Sequence, residues 1–292
     1  LLYHLTEKLT SMQASCTEIT TQEYCVNQAK ECQTPPVDQF VPTGQTFFDE
    51  TCGGFANTDL IVFVARPGCG KTHTMINLME YMSRHVPIGC WSMEEPADMV
   101  FKKMACSVLG IDTIQMRRGT LSNVEKSNLA TFLGKLHDRT IVIDEEAELY
   151  AEDMLSKALA MKNKYGIRAL FVDYLQFAES RSSDKERMQI KHITKVLKLV
   201  AKELKIPVIA LAQADRGLDT ADGKPHMKDI YGGSYIEKTA DLVIFQVPSI
   251  VDAQEAAKHL WRLTYWVLKH KNGPVGSYNR RWQKNHAKIK EF

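Results

Sequence analysis

The sequence has no apolar run approaching the length of a membrane span, and no secretory signal is visible. Its seven cysteines (Cys16, Cys25, Cys32, Cys52, Cys69, Cys90, Cys106) form an odd set without a C-x-x-C pair. That argues against a zinc ribbon or a disulfide scaffold and points to a reducing, cytosolic compartment. Strong charge of one sign is also missing: the formal net charge is +2 over 292 residues, which by itself does not mark a nucleic-acid binder. Internal repeats and low-complexity segments are absent. So is an initiator methionine, since the chain opens at Leu1. This points to a fragment, with an N-terminal domain expected in a longer parent. A hydrophobic content of 44% and a charged content of 25% are ordinary for a soluble globular protein. The length suits one large α/β domain plus an appendage.

Against that plain background one segment is chemically specific. Six apolar residues, Leu60-Ile61-Val62-Phe63-Val64-Ala65, run into Arg66-Pro67-Gly68-Cys69-Gly70-Lys71-Thr72, and a helix-like run follows from His73 to Arg84. A buried strand, a glycine loop and a helix start make a phosphate cradle, because loop N–H groups and the positive helix end converge on an anion. Arg66 to His73 are the expected nucleotide-binding stretch. Within it Lys71 reaches the β/γ-phosphates and the Thr72 hydroxyl ligates Mg²⁺. Ala65 stands where GxxxxGK[ST] usually has its first glycine.

The rest of the chain alternates. Strands are expected at Leu60–Ala65, Ile88–Met93, Thr140–Ile143, Ala169–Asp173, Pro207–Ala212 and Leu242–Gln246. Helices are expected at Thr72–Arg84, Ala97–Leu109, Asn123–His137, Tyr150–Tyr165 and Lys185–Leu204. This order predicts an α/β fold with a mostly parallel central sheet covered by helices. Arg262–Lys269 and Ser277–Trp282 read as late strands, a hairpin turning at Asn272-Gly273. Residues 1–34 carry Leu2, Leu5, Leu9 and Met12 at helical spacing and end at Pro35-Pro36. They read as a helical arm, with residues 1–36 as one region and 37–292 as the main domain. From His259 onward eight Lys/Arg residues face one acid, Glu291, which is compatible with a phosphate-binding surface or with a solvated end.

A phosphate-cleaving site needs an acid for the Mg²⁺ shell and a group that orients water. Two strand ends offer the acid: Thr140-Ile141-Val142-Ile143-Asp144-Glu145-Glu146, and Ala169-Leu170-Phe171-Val172-Asp173-Tyr174-Leu175-Gln176. Spacing alone does not choose between Asp144 and Asp173. Glu94 and Glu95, after the strand Ile88–Met93, are equal candidates for the base. Gln213 ends another strand, where an amide suits sensing a γ-phosphate or water.

Taken together, these segments closely resemble the helicase domain of DnaB-type replicative DNA helicases, from Pro42 to about Gly276. The resemblance runs through Pro42-Thr43-Gly44-Gln45-Thr46-Phe47-Phe48-Asp49, Gly53-Gly54-Phe55, Ser92-Met93-Glu94, Val172-Asp173-Tyr174-Leu175-Gln176, Ile206 to Gln213, Ile236-Glu237, Ala240 to Val243, and Lys269-His270-Lys271-Asn272-Gly273-Pro274. Ala at the first loop position is familiar in that family. The resemblance implies a RecA-like ATPase using ATP and Mg²⁺, with Asp173 in the metal shell, Glu94 as base and Gln213 as γ-phosphate sensor. It implies a hexameric ring threading single-stranded DNA, a linker-helix arm at the N-terminus, primase and helicase loader as partners, no membrane association, and a cytoplasmic setting (host cytoplasm for a viral member, organelle matrix for an organellar one). Channel-facing loops by position are 178–186 and 216–235, giving Arg181, Lys185, Arg216, Lys224, Lys228, Tyr231, Gly232 and Gly233 as DNA contacts. Two departures stand out. Lys271, beside Lys269, replaces an arginine finger and lacks its planar fork, so the two lysines are expected to share the stabilisation of a neighbouring subunit's ATP. The loop Asp229-Ile230-Tyr231-Gly232-Gly233-Ser234 lacks the family's Arg-Glu pair, leaving Tyr231 and Tyr235 as base-stacking candidates. A recombinase-like DNA-coating ATPase and a nucleotide-switched assembly or loader protein are the alternatives.

Overall fold

The computed structural model describes residues 21–22, 24–25, 39–146, 148–182, 185–214, 224–250 and 259–291. The chain divides into two units, Leu1–Gln39 and Phe40–Phe292. In the first, Thr21, Gln22, Tyr24 and Cys25 are helical and exposed; Leu2, Leu5, Leu9 and Met12 lie outside the described residues.

The second unit is built on one nine-stranded sheet. Its parallel part contains β3 (Leu60–Ala65), β4 (Ile88–Ser92), β5 (Ile141–Asp144), β6 (Ala169–Asp173), β7 (Val208–Gln213) and β8 (Leu242–Ser249). An antiparallel wing adds β9 (Leu260–His270), β10 (Gly276–Gln283) and β11 (Lys288–Lys290), giving the order β11-β10-β9-β8-β3-β7-β6-β4-β5. A separate antiparallel pair, β1 (Phe40–Val41) with β2 (Phe55–Ala56), precedes the sheet. Helices are α1 (Thr46–Cys52), α2 (Lys71–Met82), α3 (Ala97–Leu109), α4 (Thr113–Arg118), α5 (Asn123–His137), α6 (Ala151–Tyr165), α7 (Glu186–Leu204) and α8 (Gly233–Thr239). Among the described residues no helix is long and apolar enough to cross a membrane.

The central strand explains the continuous apolar run in the sequence. Every residue of β3 is buried, and the strand pairs with β7 on one side and β8 on the other. Successive side chains point to opposite faces, so both faces of such a strand must be covered. Leu60, Val62 and Val64 enter a core shared with α6 and α7, whereas Ile61 and Phe63 enter a second core beneath α2 and α3. Helix α7 supplies the first core with Ile190, Ile193, Leu197, Val200, Ala201 and Leu204, a stripe at helical spacing.

Several elements lie beyond what periodicity predicts. Helix α1 occupies the Pro42–Asp49 motif, where the Asp49 carboxylate accepts hydrogen bonds from the Thr43 and Gly44 N–H groups at 2.8 and 2.7 Å. That motif therefore has a structural reason of its own. Helices α4 and α8 are only six and seven residues long, too short for a periodic signal. The late hairpin forms, but β9 runs to His270 and β10 begins at Gly276, so the connection is longer than a two-residue Asn-Gly turn.

Candidate active site

A cavity of about 440 Å³ opens at the C-terminal ends of the parallel strands. It is lined by the Arg66–His73 loop, by Glu94 and Glu95 after β4, by Tyr174 after β6, by Gln213 at the end of β7, and by Trp282 and Lys284 from the antiparallel wing. Ligands in open α/β sheets bind at this end, where strand order reverses around a central strand.

The loop is shaped by two glycines. Gly68 and Gly70 have φ of +72° and +83°, values that L side chains rarely adopt. Gly70 is also the N-cap of α2, so the first-turn N–H groups of that helix face the cavity without intrahelical partners. A Cβ at Gly70 would come within 2.8 Å of the Trp282 ring. The wing's indole thus seats directly on the loop, and its Nε1 donates to His73 Nδ1 at 3.0 Å. Burial, then Lys103 and Lys284, drive the His73 pKa down to about 4, which keeps the ring neutral and able to accept.

Lys71 and Asp173 form the charged centre. Lys71 is 9% exposed and sits over the Tyr174 ring at 5.1 Å. Burial lowers its pKa, while Asp173 and Glu94 act the other way. Asp173 is fully buried, and its Oδ2 accepts from the Thr72 hydroxyl at 3.2 Å. Burial and then Glu94 push the Asp173 pKa up to about 7. Its other oxygen, Oδ1, is buried without a hydrogen-bond partner. An orphaned carboxylate oxygen beside a threonine hydroxyl suits a hard cation that takes oxygen ligands. Among the described residues no group of three or more His, Cys, Asp or Glu could hold a metal. A cation here would take its remaining ligands from phosphate and water.

The competing acids are occupied elsewhere. Asp144 ends the edge strand β5, with Lys157 Nζ at 3.6 Å, and Glu145 accepts from the Ala97 N–H at the start of α3. Glu95 is paired with Lys103, whereas Glu94 is exposed on the cavity wall. Gln213 is held through its backbone: the Gln176 amide accepts from its N–H at 3.1 Å and donates to its carbonyl at 3.3 Å.

Three side chains that sequence reading passes over support the loop from behind. The Gln246 amide donates to the Cys69 carbonyl, and Gln246 Oε1 accepts from the Thr74 hydroxyl at 2.6 Å. Thr74 Oγ1 also lies 2.8 Å from the Tyr265 hydroxyl. All three side chains are nearly fully buried. No local signal marks them, because they come from α2, β8 and β9 and meet only through strand register.

Lys269 and Lys271 lie far from this cavity. Lys269 pairs in register with Val243 near the start of β8, at the opposite end of the sheet from the loop. Its ammonium donates to the Glu237 and Ala240 carbonyls, both at 2.6 Å, capping the end of α8 within its own chain. Lys271 is largely exposed, 3.8 Å from the buried Asp241. Asp241 also accepts from the Leu60 N–H at 2.9 Å and from Lys198.

The two expected DNA-facing segments leave neighbouring strands, β6 and β7, and meet where the Tyr231 hydroxyl donates to Glu186 at 2.5 Å. Arg181 is held by Asp153 at 3.0 Å and lies 4.1 Å over Tyr150. Lys185 is exposed at the N-cap of α7, Lys228 is exposed in a short 3₁₀ turn, and Lys224 lies 5.9 Å over Trp266. Arg216 lies outside the described residues. The Gly233 N–H donates to Ile230 O at 2.7 Å within its own turn. Gly232 and Gly233 also have a packing reason: a Cβ would meet Ile190 at 2.8 Å and the Met227 carbonyl at 2.3 Å, respectively. The basic stretch after His259 is likewise divided, with Arg280 buried against Glu291 and Gln45 and Lys284 at the cavity.

Comparison with known proteins gives a consistent result. The family model for the DnaB-like helicase C terminal domain matches residues 41–291. The replicative DNA helicase DnaC of Bacillus subtilis (strain 168) is 30% identical over 255 residues, covering 85% of this chain and 56% of its own length. Replicative DNA helicase DnaB of Haemophilus influenzae is 32% identical over 244 residues, covering 81% of this chain and 52% of its own. The chain therefore spans about half the length of the curated relatives it matches. Among solved structures, an isolated ATPase domain aligns with a TM-score of 0.84 at 25% identity, over 94% of this chain and 99% of that one.

Proposed function

Because this chain belongs to the DnaB-like helicase C-terminal domain family, we propose that it is the ATP-driven motor of a replicative DNA helicase. The reading is carried by one juxtaposition: Lys71, Thr72 and Glu94 line one cavity, and directly behind it the Thr72 hydroxyl donates to Asp173, whose other carboxylate oxygen is buried without a hydrogen-bond partner.

In this proposal the loop and the first turn of α2 grip the phosphates of ATP, and Lys71 neutralises charge at the β/γ bridge. Thr72 and Asp173 hold Mg²⁺, which when bound offsets charge on the β- and γ-phosphates. Glu94 orients the attacking water and accepts its proton, while Lys103 keeps Glu95 out of that role. Gln213, fixed through its backbone by Gln176, meets the γ-phosphate and leads along the chain into the segment after β7. Loss of the γ-phosphate is thereby felt where single-stranded DNA is gripped by Arg181, Lys185, Arg216, Lys224, Lys228 and Tyr231. Lys271 and Lys269 serve the cavity of the next subunit in a hexameric ring, with Lys269 held at the end of α8. Primase and a loader are the expected partners, in the cytoplasm beside the DNA being copied. Family membership favours this motor over a DNA-coating filament or an assembly switch.

The test is steady-state ATPase activity with and without single-stranded DNA, alongside light-scattering mass with ATP and Mg²⁺. DNA-stimulated turnover by a particle of about six subunits is expected, and Lys71→Ala should abolish it. Unstimulated turnover by a monomer, or near-normal turnover by Lys71→Ala, would overturn the motor or the site, respectively.

A further inference from the structure

The cavity holds a cation that none of the roles above uses. Lys284 follows β10 and lines the cavity beside the loop. Its ammonium sits 5.6 Å from the ring centroids of both Trp261 and Trp282, in a notch between two indoles. Trp282 is 1% exposed, is seated on Gly70 and is bonded to His73, so the notch has a fixed height above the loop. Two other cavity cations have carboxylate neighbours: Lys103 has Glu95, and Lys71 has Asp173 and Glu94. Among the described residues no carboxylate forms an ion pair with Lys284.

The charge of Lys284 is felt within the loop. After burial and Lys103 it lowers the pKa of His73, and with Arg66 and Lys71 it opposes the burial that raises the Cys69 thiol. Lined up with Trp282, which rests on Gly70 and bonds to His73, Lys284 stands on the loop side of the cavity. A fixed ammonium over a phosphate-gripping loop, without a carboxylate of its own, favours an anion there.

We propose that Lys284 is a nucleotide-binding residue, contacting the α- and β-phosphates of a nucleoside di- or triphosphate from the same chain that supplies the loop. This rests on the nucleotide reading of the cavity. The wing that covers the sheet edge thus also closes the phosphate site.

Equilibrium titration with fluorescent ADP and with a non-hydrolysable ATP analogue tests it. Lys284→Met keeps the stem that covers the indoles and removes the charge; Lys284→Arg keeps the charge. Lys284→Met should weaken both nucleotides by a similar factor, about tenfold, and Lys284→Arg should stay within about threefold of wild type. Circular dichroism and melting temperature report that each variant is folded. Wild-type affinity in Lys284→Met overturns the proposal. So does equal weakening in Met and Arg variants, which assigns the effect to packing, and so does weakening of the ATP analogue alone, which moves the contact to the γ-phosphate. Lys71→Ala in the same titration separates the two readings. If it too binds both nucleotides as wild type does, the nucleotide reading of the cavity fails. If only the Lys284 variants are unaffected, this inference alone fails.

Discussion

Asp59 and Asp241 place two carboxyls at the start of the central strand, opposite the cavity. Burial, then the neighbouring Asp241, raise the Asp59 pKa from 3.8 to about 6, while Lys198 and Lys271 pull it back. A carboxyl that holds its proton more tightly in the fold favours the native state at low pH. That contribution is complete below the unfolded value of 3.8 and is lost as pH rises through about 6. Asp59→Asn mimics the protonated form. Urea midpoints should therefore show the variant gaining about 1–3 kcal/mol over wild type near pH 8, after allowance for solvent screening, and clearly less near pH 5. An equal gain at both pH values would remove the ionised carboxyl as the cause. None of this is visible in the sequence, where Asp59 is one polar residue before an apolar run. By contrast, the Lys71-Thr72 loop is legible there, because strand, loop and helix follow one another directly, whereas Asp173 is separated from Asp144 only by the family resemblance.

At the scale of elements, the phosphate loop is held by partners it never adjoins in sequence. Thr74 on α2, Gln246 on β8 and Tyr265 on β9 form one buried chain of hydrogen bonds ending on the Cys69 carbonyl. Thr74→Val keeps the shape and removes the shared hydroxyl, leaving Gln246 and Tyr265 short of a partner. A loss of roughly 1–3 kcal/mol is expected in thermal or urea unfolding, together with weaker nucleotide binding. Unchanged stability would mean that the two groups find other partners. The strands themselves are readable, and the β3, β4, β6 and β7 runs fall where apolar patterning puts them. The network is not readable, because it depends on which residue of β8 faces which turn of α2. A one-residue change in register would turn Gln246 to the other face.

Across the whole molecule, the cavity and the Lys269–Lys271 pair lie at opposite ends of the parallel strands. Six residues of β3 separate those ends by roughly 20 Å. A lysine at the far end does not reach its own chain's phosphates, and this geometry agrees with a role toward a neighbouring copy. Lys271→Ala should bind nucleotide normally in its own cavity yet lose turnover. Mixing it with Glu94→Gln should restore part of the activity, through sites that combine an intact Glu94 with a neighbour's intact Lys271. If no mixture recovers activity, the in-trans role is rejected. The motif order in the sequence conveys the family. The opposed placement of loop and lysines emerges only once β9 is seen to run antiparallel to β8.

The seating of Trp282 against the loop also has a consequence for how the protein is made. His73 and Trp282 are hydrogen-bonded across 209 residues of chain. At about 5–20 residues per second of synthesis, roughly 10–40 s separate their appearance. Strand β3 waits as well, since both its neighbours, β7 and β8, are translated well after it. A fully apolar strand made early and paired late leaves a long interval in which nascent chains could join at that edge. Demand for chaperone cover during translation should therefore centre on Leu60–Ala65.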